Sequence, residues 1–248
     1  MDGGPVAYSD PETKVLCGVI TRSHIHAGTI GSITWAISKG ALSSWLIRTH
    51  GPYLTNARNS MVRAFLAIEH RDKTHLLFVD SDQRFTPEDV RAVVSRCTRE
   101  TPVVGGLYVN PDQTNGSHNP IAYSLEPDGF HQLDMGPCRW THPSEGDPCI
   151  EVGAVGTGFM AIHRSLIETM PGTFSEPCPW FAEPVFGDPP KMIGEDLGFC
   201  LRVLHLDHPV LLHRGAKIGH FKECLIYPES FDQPILPPEP SEVPPPAP

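Results

Sequence analysis

Asp80-Ser81-Asp82 sets two carboxylates one residue apart at the end of the run His75-Leu76-Leu77-Phe78-Val79. Carboxylates so placed can hold a hard divalent cation, because Mn²⁺ and Mg²⁺ take oxygen ligands. Such a cation shares its shell with phosphate oxygens, which points to a nucleotide-diphosphate site at the carboxyl end of a sheet. Taken alone, the triplet equally describes a solvated turn after a strand. A second acidic pair, Glu195-Asp196, follows Gly194 at the head of an apolar-periodic segment. Acids start helices because they complement the dipole, and one of this pair could equally serve as general base toward an acceptor hydroxyl. His220, in Lys217-Ile218-Gly219-His220, is a candidate third ligand. A neutral imidazole completes carboxylate shells around Mn²⁺, and a hydrogen-bonded structural role is its alternative. His24-x-His26, His205 and His208 lack a third ligand at useful spacing.

These groups need a scaffold, and the pattern of apolar residues supplies one. Val15–Ile20 and Leu42–Ile47 read as strands, and Ser32–Ser38 has helical character. Leu54–Ile68 is predicted to be a helix, with Leu54, Ala57, Met61, Phe65 and Ile68 on one face and Thr55 or Asn56 as its cap. The run into Asp80 is a buried strand. Thr86-Pro87-Glu88-Asp89 then starts a helix to about Arg96, with threonine as cap, proline at the first helical position and two acids at the dipole. Pro102–Leu107 is the next strand. This alternation predicts an α/β domain with a mostly parallel central sheet, helices on both faces and right-handed crossovers.

Tyr108–Pro148 reads as loops and short antiparallel strands, and Glu151–His163 resumes regular structure, punctuated by Gly153, Gly156 and Gly158. Ser165–Met170 is predicted to be a short helix. Phe174–Pro190, dense in proline and aromatic residues, suits an ordered lid. There Trp180 either stacks on a sugar ring or plugs the core. Asp196–His205 is the last helix, with Phe199, Cys200, Val203 and Leu204 on its apolar side.

The chain of 248 residues suits one domain. Residues 1–13 read as a disordered lead-in, 14–233 as the domain, and 234–248 as a flexible proline-rich tail. No apolar stretch is long enough to span a membrane, and the N-terminus has no secretory pattern. With seven scattered cysteines and no Cys-x-x-Cys pair, a reduced cytoplasmic setting is expected, although a Cys138–Cys149 zinc or disulfide link is conceivable. A net charge of −10 argues against a broad face for nucleic-acid phosphates. Nothing in the sequence sets an oligomeric state.

The order Asn56-Ala57-Arg58-Asn59, Phe78-Val79-Asp80-Ser81-Asp82, Gly156-Thr157-Gly158-Phe159-Met160, Gly194-Glu195-Asp196-Leu197-Gly198-Phe199-Cys200 and Gly219-His220 resembles a glycosyltransferase of the GT-A fold, close to the family-2-like enzymes. No single motif is specific, but their joint order is. The resemblance implies a nucleotide-sugar donor, most often UDP-linked, and Mn²⁺ or Mg²⁺. Asp82 would then bind the metal, Asp80 the metal or the donor ribose, and His220 would close the shell. Thr21, Arg22, Arg58 and Ser81 would line the nucleotide pocket, with Gly156 and Gly158 giving backbone access to the donor sugar or acceptor. Glu195 and Asp196 match the family's acidic pair, whose aspartate is the base in inverting members. The acceptor would be a glycan, a protein, a small molecule or, least favoured by the acidic balance, a DNA base.

The chain departs from the family in lacking a second domain, membrane segments and a Gln-x-x-Arg-Trp motif, which argues against a polysaccharide synthase. Three rivals stand beside the inverting reading. They are a retaining enzyme of the same fold, a nucleotidyltransferase, and a catalytically inactive module that binds a glycan or partner. For a nucleotidyltransferase, Thr21-Arg22-Ser23-His24 is a poor substitute for a glycine-rich phosphate loop.

Overall fold

The computed structural model describes residues 12–111, 118–133, 147–170, 179–222 and 225–226. The tail, Cys138 and the first part of the expected lid lie outside the described residues. Seven strands form the main sheet, in the spatial order Cys149–Val152, Val210–Lys217, Val103–Leu107, Phe159–His163, His75–Asp80, Val15–Thr21, Ser44–Thr49. Five run one way. Phe159–His163 and Cys149–Val152 run against their neighbours, so the sheet is mixed but mostly parallel.

Burial on both faces follows from the two-residue period of a strand. Leu16, Ile20, Leu76 and Phe78 join one core cluster, together with Met61 and Phe65 of the helix Leu54–Leu66 and with Phe199 and Val203 of the helix Glu195–His205. Val15, Cys17, Val19, Leu77 and Val79 point the other way. They meet Ile33 and Ala36 of the helix Ala27–Ser38 and Val90, Val93 and Val94 of the helix Pro87–Arg96. Gly18 breaks the alternation for a packing reason: a Cβ there would stand 2.8 Å from Met61 Cγ. The helix thus seats directly on the strand backbone.

Several elements differ from expectation at their ends. The first helix begins at Ala27, because His26 Nδ1 accepts the Gly28 amide at 3.0 Å and caps a turn whose glycines conceal it in sequence. The second strand is Ser44–Thr49, shifted by its register against Leu16–Thr21. Neither Thr55 nor Asn56 caps the second helix, which starts after Tyr53 with no side-chain cap bond. That helix stops at Leu66, and Ile68 lies in a 3₁₀ turn, 67% exposed rather than on the buried face. The Thr86 start holds as a reciprocal capping box with Asp89. In the stretch after Tyr108 the described strands pair antiparallel, Val109–Pro111 with His118–Pro120, and Ala122–Glu126 with both Gly129–Gln132 and Ala154–Val155. No helix among the described residues is long and apolar enough to cross a membrane.

Candidate active site

Parallel pairing sets Ile20 opposite Asp80, so Thr21-Arg22 and Ser81-Asp82 leave the sheet together at its carboxyl edge. Below them the helix Leu54–Leu66 carries Arg58, which is 1% exposed. Arg58 Nη2 donates to Asp80 Oδ1 at 2.8 Å, and its Nε lies 3.7 Å from Glu195 Oε1. The guanidinium lies over the Phe78 ring, 5.2 Å from its centroid. Its Nε and Nη1 have no hydrogen-bond partner among the described residues. One buried cation therefore joins the two acidic clusters.

Asp82 follows a different path. Its Oδ2 is 3.2 Å from His220 Nε2 and 3.0 Å from Lys222 Nζ. The backbone fixes this approach: Gly219–Phe221 pairs with Gln83–Arg84, and the Phe221 amide donates to the Asp82 carbonyl at 2.7 Å. His220 Nδ1 is 2.9 Å from the Val109 carbonyl. A carbonyl only accepts, so Nδ1 carries a proton. A carboxylate also only accepts, so the contact with Asp82 is made by a proton on Nε2, the position a bound cation would take instead. Burial pushes the Asp82 carboxyl up, but His220 and Lys222 together outweigh it and hold it at about 2.

These residues fit a cation only in part. Among the described residues no three His, Cys, Asp or Glu side chains converge as a cage. Asp80, an expected ligand, is turned to Arg58. Asp82 and His220 remain, and they suit a hard divalent ion that draws the rest of its shell from phosphate oxygens and water. The Nδ1–H bond to a backbone carbonyl is the support that orients a ligating imidazole.

Glu195 and Asp196 open the helix Glu195–His205 behind Gly194, and Asp196 Oδ1 accepts the Leu197 amide at 2.8 Å. Burial raises the carboxyl pKa of both; the other acids add to this and Arg58 opposes it. Tyr108, also buried, is raised well above the usual phenol by burial and by the nearby charges of Asp80 and Asp196.

The other expected residues are placed as follows. Thr21 is buried and its hydroxyl donates to the His24 carbonyl, while the Ser81 carbonyl accepts the His26 amide at 2.8 Å. Both shape the turns that border the site. Arg22 is exposed and, with Ser81 and Asp82, lines both of two adjoining clefts of about 200 and 250 Å³. A Cβ at Gly156 would stand 2.2 Å from Tyr108 Oη and one at Gly158 2.7 Å, and the Gly158 amide donates to that oxygen at 3.1 Å. Both glycines therefore seat Tyr108. Trp180 is 5% exposed and its indole donates to the Ile167 carbonyl at 2.8 Å. It plugs the core and does not face the clefts, because its one polar atom finds a buried carbonyl.

No protein-family model matches the chain, and no curated protein matches it by sequence. The chain shares its fold with A197 from STIV. The two superpose with a TM-score of 0.58 at 19% identity, over 88% of this chain and 91% of that one. At that identity the likeness is one of fold alone. A second solved structure, a glycosyltransferase involved in the glycosylation of the major capsid of PBCV-1, matches with a TM-score of 0.33 at 12% identity, over 62% of each chain. That distance is too great to carry an argument.

Two residues escaped the sequence reading. Lys222 stands two positions beyond His220, so the period of an extended chain brings both to one side, onto the same Asp82 oxygen. Tyr108 had a signal too, since Gly156 and Gly158 are bare where a large ring has to lie.

Proposed function

We propose that this protein transfers a glycosyl group from a nucleotide-sugar donor, UDP-linked by preference, to an acceptor hydroxyl. One observation carries the reading. Arg58 is 2.8 Å from Asp80 and 3.7 Å from Glu195, so acidic groups far apart in sequence bound one site at the sheet's carboxyl edge. Open α/β sheets bind ligands at that edge.

Each residue then has a task. Asp82 and His220 would hold Mn²⁺ or Mg²⁺, and Arg22 lines the clefts that would take the donor diphosphate. When bound, the cation offsets the negative charge that develops on the leaving diphosphate. Asp196 accepts the proton of the attacking hydroxyl, as in an inverting transfer. Burial raises its pKa, which moves a carboxylate toward the range in which it is an effective base. Arg58 holds Asp80 and Glu195 in place and opposes the rise that burial imposes on the Glu195 and Asp196 carboxyls.

The test is a panel of nucleotide sugars scored by nucleotide release, with Mn²⁺ and with chelator, on the wild type and on Asp82→Ala. Release from one donor that needs the cation and is lost in Asp82→Ala is the expected result. Folded protein that binds and turns over no donor sinks the reading. Turnover undiminished by chelator moves the charge-offsetting role to Lys222 and removes the cation.

A further inference from the structure

A cavity of about 490 Å³ lies beside, and distinct from, the proposed donor clefts. It sits on the sheet face covered by the helices Ala27–Ser38 and Pro87–Arg96, whereas the smaller cleft abuts Leu54 and Arg58 on the other face. The larger cleft, lined by His26 and Lys222, shares only Phe221 with the cavity. Its volume falls in the range of small-molecule sites.

One helix shapes it. Gly28, Gly31, Ser32 and Trp35 fall at i, i+3, i+4 and i+7, so they form one stripe of the helix Ala27–Ser38, and all four line the cavity. Gly28 and Ser32 have structural reasons. A Cβ at Gly28 would stand 2.3 Å from Phe221, and Ser32 Oγ accepts the Phe85 amide at 3.1 Å. Gly31 has none, because a Cβ there would meet no atom within 4 Å. A mid-helix glycine is less favourable than alanine, so its presence calls for a reason. What that glycine leaves is open space, bounded by the 46% exposed ring of Trp35 and by the rings of Phe85 and Phe221.

Charge selects the ligand. In a chain of net charge −10, the lining carries Arg84 and Lys217 against one acid, Asp89. Asp89 is already engaged, since it accepts the Thr86 amide and hydroxyl at 2.8 Å each as part of the capping box. The Arg84 guanidinium is exposed and makes no hydrogen bond or ion pair among the described residues. A guanidinium fork and an ammonium lining one cavity suit a phosphate monoester, and a half-exposed indole in the same lining suits a ring.

We infer that this cavity is a second ligand site that takes a ring compound carrying a phosphate monoester, with the ring against Trp35 and the phosphate on Arg84 and Lys217. The ring is a nucleobase or a sugar, and two probes separate these: adenosine monophosphate and glucose 6-phosphate. The binding site stands whether or not the protein transfers sugars, because the readout is binding without turnover.

Isothermal titration of the full chain with each probe tests it, with near-ultraviolet circular dichroism to verify the fold of every variant. One probe binds the wild type, and Gly31→Leu, which fills the cavity, weakens it at least about tenfold. Arg84→Ala and Trp35→Ala each weaken it about tenfold. Gly31→Ala folds, with an unchanged or higher Tm. If Gly31→Leu misfolds, the Arg84 and Trp35 variants decide. Failure of both probes to bind at millimolar concentration overturns the proposal. So does binding that these variants leave intact, and so does binding that Asp82→Ala removes, because that places the probe in the donor cleft.

Discussion

Arg58 donates to Asp80 across 2.8 Å while lying almost wholly out of water. The guanidinium has Glu195 at 3.7 Å as its other close counter-charge, and no hydrogen bond is recorded between them. Removing Asp80 leaves the buried guanidinium with no hydrogen-bonded counter-charge and only Glu195 close by. Asp80→Ala is therefore expected to cost about 3 kcal/mol in urea unfolding. Adding Arg58→Met should recover part of that loss, since no orphaned cation remains. Costs that simply add would show that the two residues are not coupled.

Asp82 gives a pH signature. Its carboxyl is held at about 2, below the ordinary aspartate range, so its ionised form is favoured by folding. That contribution is present above the unfolded value of about 4 and is lost as pH falls toward 2. Thermal unfolding followed from pH 6 to pH 2 should show the wild type losing more stability over the lower part of that range than Asp82→Asn. Parallel curves would mean that His220 and Lys222 do not hold the carboxylate in solution.

Asp196 has the opposite sign. Burial raises its pKa, so ionisation there works against folding at neutral pH. Asp196→Asn removes that cost, and its Tm at pH 7 should equal or exceed that of the wild type. Transfer should nevertheless fall at least about 10²-fold, the scale for loss of a general base. A variant of normal stability and near-normal transfer would favour a retaining route with no enzymic base.

Trp180 separates a core role from a ligand role. Truncating a buried aromatic costs about 3–5 kcal/mol. Trp180→Ala is expected to lose that much in urea unfolding, with the Arg63 guanidinium 5.8 Å from the ring losing its partner as well. Trp180→Phe should lose far less and keep donor affinity. A loss of donor affinity without a loss of stability would return Trp180 to the clefts.

Much of the scaffold is legible in the sequence because it rests on local rules. Thr86-Pro87-Glu88-Asp89 starts a helix by capping chemistry that needs only four residues. The run into Asp80 is apolar throughout because both of its faces are covered. Element ends that depend on distant partners were harder to read. His26 caps a glycine-rich turn, and the Ser44–Thr49 strand takes its register from Leu16–Thr21. Trp180 had two readings until Ile167 proved to be its hydrogen-bond partner.

The sequence by itself determined the kinds of group available, two acidic clusters and a late histidine on an α/β frame, since composition and periodicity are local properties. Only the tertiary structure decided which of them meet. Asp80 and Asp82, separated by one residue, face different partners: Arg58 for the first, His220 and Lys222 for the second. The physical reason is that Asp80 is the last residue of its strand and Asp82 lies past the turn. The helix Leu54–Leu66 carries the partner of one, and the strand Gly219–Phe221 fixes the approach to the other.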